Sequence, residues 1–238
     1  MSFFRHLLKS VRLSTCVAVL TMVPLNTAVS QVSSPDLQTH TVSGNVSILD
    51  RDGKSISDRS NVVLFIDGLS SAEQSLQERS PHLMSHANRV FSPAVLPIRR
   101  GEVLDFFNDD DIFHNVFSLS SANKFDLGIY PAGTSKLVPF PAPGLIRIYC
   151  NIHPEMVSTI LVLNNDLFAK TDDDGNFEIH NVPEGEFTLR VWHEFSDEVQ
   201  RTIFVDSNGE NDLSFELMET KKRLQHRNKF GMPYREKY

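Results

Sequence analysis

From Val42 onward the chain alternates apolar and polar residues in short runs, each closed by a turn signal. That pattern constrains the fold more than any other feature. Val42, Gly44, Val46 and Ile48 alternate with Ser43, Asn45 and Ser47. An alternation of period two places every second side chain on one face of a strand. The turn Asp50-Arg51-Asp52-Gly53 follows, then the β-branched run 62–66. Further apolar segments fall at 90–91, 94–98, 103–107, 116–119, 125–130, 137–140, 145–149 and 159–163. Pro139, Pro141, Pro143 and Gly144 limit pairing locally and mark an edge and a turn. Residues 70–88 are polar and read as a loop or a short helix. Many short strands at close spacing predict an all-β sandwich or barrel.

A second group of strands begins near Asp166. The acidic turn 171–176 leads into Phe177, Ile179 and Val182, and the turn Pro183-Glu184-Gly185 follows. Phe187, Leu189 and Val191 then alternate into Trp192, and residues 201–205 and 213–217 supply two more strands. The expected organisation is a larger β-sandwich at 40–165 and a smaller one at 166–218, with a flexible basic tail at 219–238. Some fifty residues make a marginal domain alone, so the smaller unit is expected to pack on the larger.

Residues 1–30 stand apart. Arg5, Lys9 and Arg12 precede an apolar run at 16–23, no Asp or Glu occurs there, and Ala28-Val29-Ser30 is a small-x-small cleavage signal. This is the pattern of a secretory signal peptide cut before Gln31, with a linker at 31–39. A periplasmic or secreted location follows, with no integral membrane span after cleavage, since no later stretch reaches 18 apolar residues. Of the two cysteines, Cys16 leaves with the signal and Cys150 remains. A lone thiol in an oxidising compartment needs an occupant: an intermolecular disulfide, a catalytic role or a metal.

Removing Arg5, Lys9 and Arg12 leaves 20 of the 23 basic residues against 30 acidic ones, a net charge of −10. The tail at 219–238 is basic and the body acidic. An acidic body argues against nucleic acid as the main partner and permits steering toward a basic one.

The neighbours of Cys150 favour metal. Cys150, His153 and Met156 place a thiolate, an imidazole and a thioether at a spacing of three. The loop carrying them lies between the strands at 145–149 and 159–163. His114, in the acidic turn after the strand 103–107, is the candidate for a second imidazole. Such a set suits copper: the soft sulfur donors favour Cu(I) and imidazoles accept both oxidation states. Zinc tolerates two histidines and a cysteine, but methionine serves it poorly. A cysteine nucleophile would need an orienting group and an oxyanion element, neither of which the sequence offers. Taken singly, a buried cysteine or histidine is most often a packing residue.

Residues 90–163 resemble the cupredoxins, the blue-copper fold of plastocyanin, pseudoazurin and amicyanin. The Cys-x2-His-x2-Met spacing of Cys150, His153 and Met156 is that of amicyanin. The segments His114-Asn115-Val116-Phe117-Ser118, Phe125-Asp126-Leu127-Gly128 and Cys150-Asn151-Ile152-His153-Pro154 resemble plastocyanin-like methylamine-utilisation proteins, and residues 171–192 resemble the carboxypeptidase-regulatory-like sandwich they carry. The resemblance implies a Greek-key cupredoxin sandwich followed by a non-catalytic β-sandwich. It also implies one type 1 copper ion on His114, Cys150, His153 and axial Met156, and a brace at Asn115. His153 would lie nearest solvent, with Ile152 and Pro154 in an apolar docking rim. The implied role is one-electron transfer to a redox partner such as a cytochrome or a dehydrogenase, not an enzymatic activity. Multicopper chemistry is disfavoured, because Asn151 follows Cys150 and no His-x-His pair exists. Copper delivery with the same ligands, or a docking module with a degenerate metal site, are the alternatives. His82 and His86 flank Met84 and would share a face on a helix, open to a second metal; a solvated loop is the simpler reading. Lys170 stands where a calcium loop would need its first ligand, so Asp172, Asp173 and Asp174 read as a turn.

Overall fold

The computed structural model describes residues 38–69, 80–222 and 226–234. The expected signal peptide and most of the linker lie outside the described residues. The described chain is all-β, with sixteen strands and no helix.

One sandwich carries the candidate site. Its first sheet has four strands in the order β4 (Val90–Ser92), β3 (His82–Ala87), β6 (Val103–Asn108) and β9 (Ser135–Pro139). Its second has five, in the order β5 (Val95–Arg99), β11 (Val157–Leu163), β10 (Gly144–Cys150), β7 (His114–Ser118) and β8 (Phe125–Tyr130). The chain passes between the two sheets at β4–β5, β5–β6, β6–β7, β8–β9 and β9–β10, so sequence neighbours repeatedly face each other across the core. Strand periodicity decides what enters that core. On β10, Ile146, Ile148 and Cys150 point inward while the residues between them are more exposed. On β6, Leu104, Phe106 and Asn108 do the same. Met84, Phe91, Ile98, Phe140, Ile160 and Val162 belong to the same apolar cluster, which also contains Cys150 and Met156. Burying each large aliphatic side chain of this kind stabilises the fold by roughly 1.5–3 kcal/mol. Residues 82–87, within the stretch read as a loop or short helix, form β3.

The second sandwich draws strands from both sides of the boundary expected at 165/166. Its three-stranded sheet runs β13 (Asn176–Pro183), β1 (Thr39–Leu49) and β16 (Glu210–Met218). Its four-stranded sheet runs β12 (Phe168–Lys170), β2 (Val63–Asp67), β14 (Gly185–Trp192) and β15 (Val199–Val205). Among the described strands, the first two therefore belong with the last five. β1 sits between β13 and β16, antiparallel to one and parallel to the other, and brings Val42, Val46 and Ile48 against Phe177, Ile179 and Leu217. Without β1 and β2 the C-terminal strands would lack a middle partner in each sheet. The site-bearing sandwich is thus an insertion between β2 and β12. A tight turn anchors the frame: Gly175, at φ 85°, accepts a 2.8 Å hydrogen bond from the Val46 amide, and a Cβ there would lie 2.1 Å from the Val46 carbonyl oxygen.

The two sandwiches meet at a small apolar seam. Val63 packs with Val95, Leu161 and Leu163, and Phe65, Phe168 and Trp192 cover them. Two ion pairs flank the seam, Arg99 with Asp166 at 3.0 Å and Arg147 with Glu194. Residues 226–234, within the tail at 219–238, lie against the loop that follows β10.

Candidate metal centre

The site forms where β7 begins and β10 ends. These strands pair only briefly, at Tyr149 with Phe117 and Cys150 with Val116, so Cys150 lies beside the start of β7, where His114 projects. The alternation on β10 turns Cys150 inward, and the chain then makes a short loop back to β11. Two backbone hydrogen bonds close that loop: Cys150 N–H to the Met156 carbonyl at 3.2 Å, and Met156 N–H to the His153 carbonyl at 3.2 Å. They return His153 over Cys150 and bury Met156 in the core beneath.

Three donor atoms converge. Cys150 Sγ lies 3.8 Å from His114 Nδ1 and 3.5 Å from His153 Nδ1, and the two nitrogens are 3.1 Å apart. All three residues are buried, His153 being the most accessible at 8% exposure. Edges of this length suit one ion held by bonds of about 2.0–2.3 Å to nitrogen and sulfur. Cys150 is a free, fully buried thiol, which suits a ligand rather than an attacking nucleophile.

The protonation of His114 is fixed from its far side. Its Nε2 lies 3.2 Å from Asp110 Oδ2. A carboxylate only accepts, so the ring proton sits on Nε2 and the Nδ1 lone pair faces Cys150 and His153. Burial pushes the His114 pKa below the ordinary histidine value, outweighing the pull of Asp110. Burial also tends to raise the pKa of Asp110. Hydrogen bonds from the Arg89 amide, His114 and the Asp111 amide overcome it and hold the carboxyl below its usual range. Asn108 holds the acidic turn in place: its Nδ2 donates to the Ile112 carbonyl at 2.9 Å and its Oδ1 accepts from the Asp110 amide at 3.1 Å.

Asn115 braces the loop. Its carbonyl accepts the Asn151 amide at 2.9 Å, while its Nδ2 donates to Asp126 Oδ1 at 2.7 Å and to the Gly128 carbonyl at 3.0 Å. Ile152 and Pro154 are exposed on either side of His153, Ile152 at 39%. Phe113 at 57% and Ile129 at 65% are also exposed, Ile129 pairing with Asn115.

His86 is a neighbour of the site that the sequence reading did not place there. It lies on β3, fully buried, with its ring edge-on to His114 at 5.7 Å between centroids. Its Nε2 makes a short hydrogen bond with the Tyr130 hydroxyl. Burial pushes its pKa down to about 4. His82 turns to Glu102, 2.9 Å away, instead. Four residues along a strand separate the two histidines by about 13 Å, so they share no ion. The acidic turn at 171–176 uses the Asp172 carboxylate internally, accepting from the Asp174 and Asn176 amides at 3.0 and 2.8 Å. His193 is buried against Ser196 and Phe195.

No family model and no curated protein matches the chain. Solved structures similar to part of it include a purple cupredoxin from Nitrosopumilus maritimus, 23% identical, covering 34% of this chain and 99% of that one at a TM-score of 0.32. A reduced mutant of amicyanin is 16% identical over 42% of this chain and 98% of that one, at a TM-score of 0.34. A copper-containing nitrite reductase from Thermus scotoductus SA-01 is 24% identical, with a TM-score of 0.36; the match covers 37% of this chain and 23% of that one.

Proposed function

We propose that the chain is a type 1 copper protein that carries single electrons, and that His114, Cys150, His153 and Met156 are the residues that would hold the copper. The observation that carries this reading is the buried triangle of two imidazole nitrogens and one thiol sulfur. The donor chemistry selects among metals: thiolate and thioether suit Cu(I), imidazoles suit both oxidation states, and methionine is a poor zinc ligand. Copper bound there would supply a one-electron couple.

The protein's own part is positional. Asp110 presents the His114 lone pair toward Cys150, and Asn115 ties the ligand loop to β7 through Asn151. The apolar core excludes water from Cys150 and Met156. Ile152 and Pro154, exposed on either side of His153, would form an apolar rim at which a redox protein such as a cytochrome or a dehydrogenase docks. The acidic body would steer a basic partner, an effect that weakens with salt. A periplasmic or secreted location fits the signal-like residues 1–30 and the lone buried thiol. Among the described residues no helix is long and apolar enough to cross a membrane.

The test is copper loading of the purified mature protein. One equivalent of Cu(II) should give an intense visible thiolate charge-transfer band and a reversible one-electron wave. Cys150→Ser should lose the band. Persistence of the band in that variant, or failure of the intact protein to bind stoichiometric copper, would overturn the assignment. Rapid transfer of copper to a metal-free acceptor would favour delivery over electron carriage.

A further inference from the structure

The segment 226–234 crosses one flank of the ligand loop and touches it at three successive points. The Tyr234 hydroxyl donates to the Cys150 carbonyl at 2.7 Å. The Lys229 amide donates to Asn151 Oδ1 at 3.0 Å. His226 Nε2 lies 2.6 Å from the Pro154 carbonyl oxygen, which places a proton on that nitrogen. Two of these acceptors are backbone carbonyls, one on each side of His153, for which the loop's own turn hydrogen bonds provide no donor. His226 also stacks on Tyr149, with ring centroids 4.4 Å apart and planes inclined by 29°. The Tyr234 oxygen lies 3.1 Å from His226 Nδ1, joining the two contacts to each other.

The same segment reaches the brace behind the loop. Lys229 Nζ pairs with Asp126 at 2.6 Å, and Asp126 accepts the Asn115 side chain through its other oxygen. Asn115 holds the loop at Asn151, so the chain from Lys229 through Asp126 and Asn115 returns to the residue that Lys229 itself binds.

We infer that residues 226–234 form a strap that holds the ligand loop in its metal-ready shape, with Tyr234 and His226 acting as positioning residues for the metal centre. A ligand loop of seven residues with only two internal backbone hydrogen bonds would otherwise sample other shapes, and each departure separates His153 from Cys150. The strap resists this by fixing the carbonyls on both sides of His153. It also covers one flank of the loop and leaves the Ile152 side open. A tail that merely rested on the surface would leave the loop unchanged when its contacts were cut.

The inference rests on the proposed copper site for only one of its two readouts. The first uses metal-free, full-length protein. Tyr234→Phe removes one hydroxyl at constant shape and should raise amide hydrogen exchange at Asn151 and Met156 about three- to tenfold, the effect of one hydrogen bond. The double variant Tyr234→Phe, His226→Ala should raise it further. The second readout is copper loss from the loaded protein to an excess of chelator, which should quicken by a similar factor in both variants, with a shifted reduction potential. Unchanged exchange in the loop in the metal-free variants would overturn the strap, even if thermal stability fell. If the intact protein bound no copper, the exchange result would still decide the strap while the copper reading failed separately. If the double variant did not fold, Tyr234→Phe alone decides.

Discussion

Asp110 Oδ2 meets His114 through Nε2, the ring nitrogen that does not face Cys150. That contact decides the tautomer and aims the lone pair. Asp110 is itself fixed, accepting the Arg89 amide at 2.8 Å and anchored by Asn108. A candidate ligand and the carboxylate behind it are thus one unit.

Asp110→Ala should therefore lower copper affinity about 10- to 100-fold, the usual cost of losing an outer partner of a ligating histidine. Competition with a chelator of known affinity measures this. The thiolate band should remain, because Cys150 is untouched. An affinity equal to that of the parent protein would show that Asp110 does not orient His114.

His86 predicts a pH dependence in the metal-free protein. Buried and held to about 4, it stays neutral in the folded state to well below the value near 6.5 at which the unfolded chain takes up a proton. Between these values the unfolded state binds more protons, so stability falls as pH drops. The loss should reach about 3 kcal/mol near pH 4 and vanish above about 6.5. Urea unfolding at pH 7 and at pH 4.5 reads it. His86→Phe should flatten that part of the profile; an unaltered slope would mean that other groups carry the acid sensitivity.

Gly175→Ala tests the frame independently of the site. The new methyl would meet the Val46 carbonyl in a left-handed backbone conformation. A loss of about 1–3 kcal/mol is expected in the denaturant midpoint. The position of the copper band should not move, since Gly175 touches β1 and not the ligand loop. A shifted band would reveal coupling between the frame and the metal centre.

Local signals carried much of this architecture. The alternation along 144–150 is visible in sequence and points Cys150 inward, and the spacing to His153 and Met156 sets the loop. Where partners are distant, the sequence is silent. Val46 pairs with Phe215, and no local pattern says that β1 lies beside β16 rather than with its sequence neighbours. β3 was obscured for another reason: His82, Ser85 and His86 make it polar, although Met84 and His86 share the inward face with period two. The tail lacks apolar periodicity because it is held by hydrogen bonds from Tyr234, His226 and Lys229, which leave no repeating signature.

The insertion of one sandwich into another sets an order of events during synthesis. β1 and β2 precede the inserted sandwich, but their partners β12, β13, β14 and β16 all follow it. Until then Val42, Val46 and Ile48 lie on a strand with no sheet to join, an edge open to wrong pairing. β3 to β11 are complete well before that frame can close, so the ligand triangle is made on a scaffold whose other half does not yet exist. Residues 226–234 follow β16, so the loop around His153 gains its fastening only after that strand has been made.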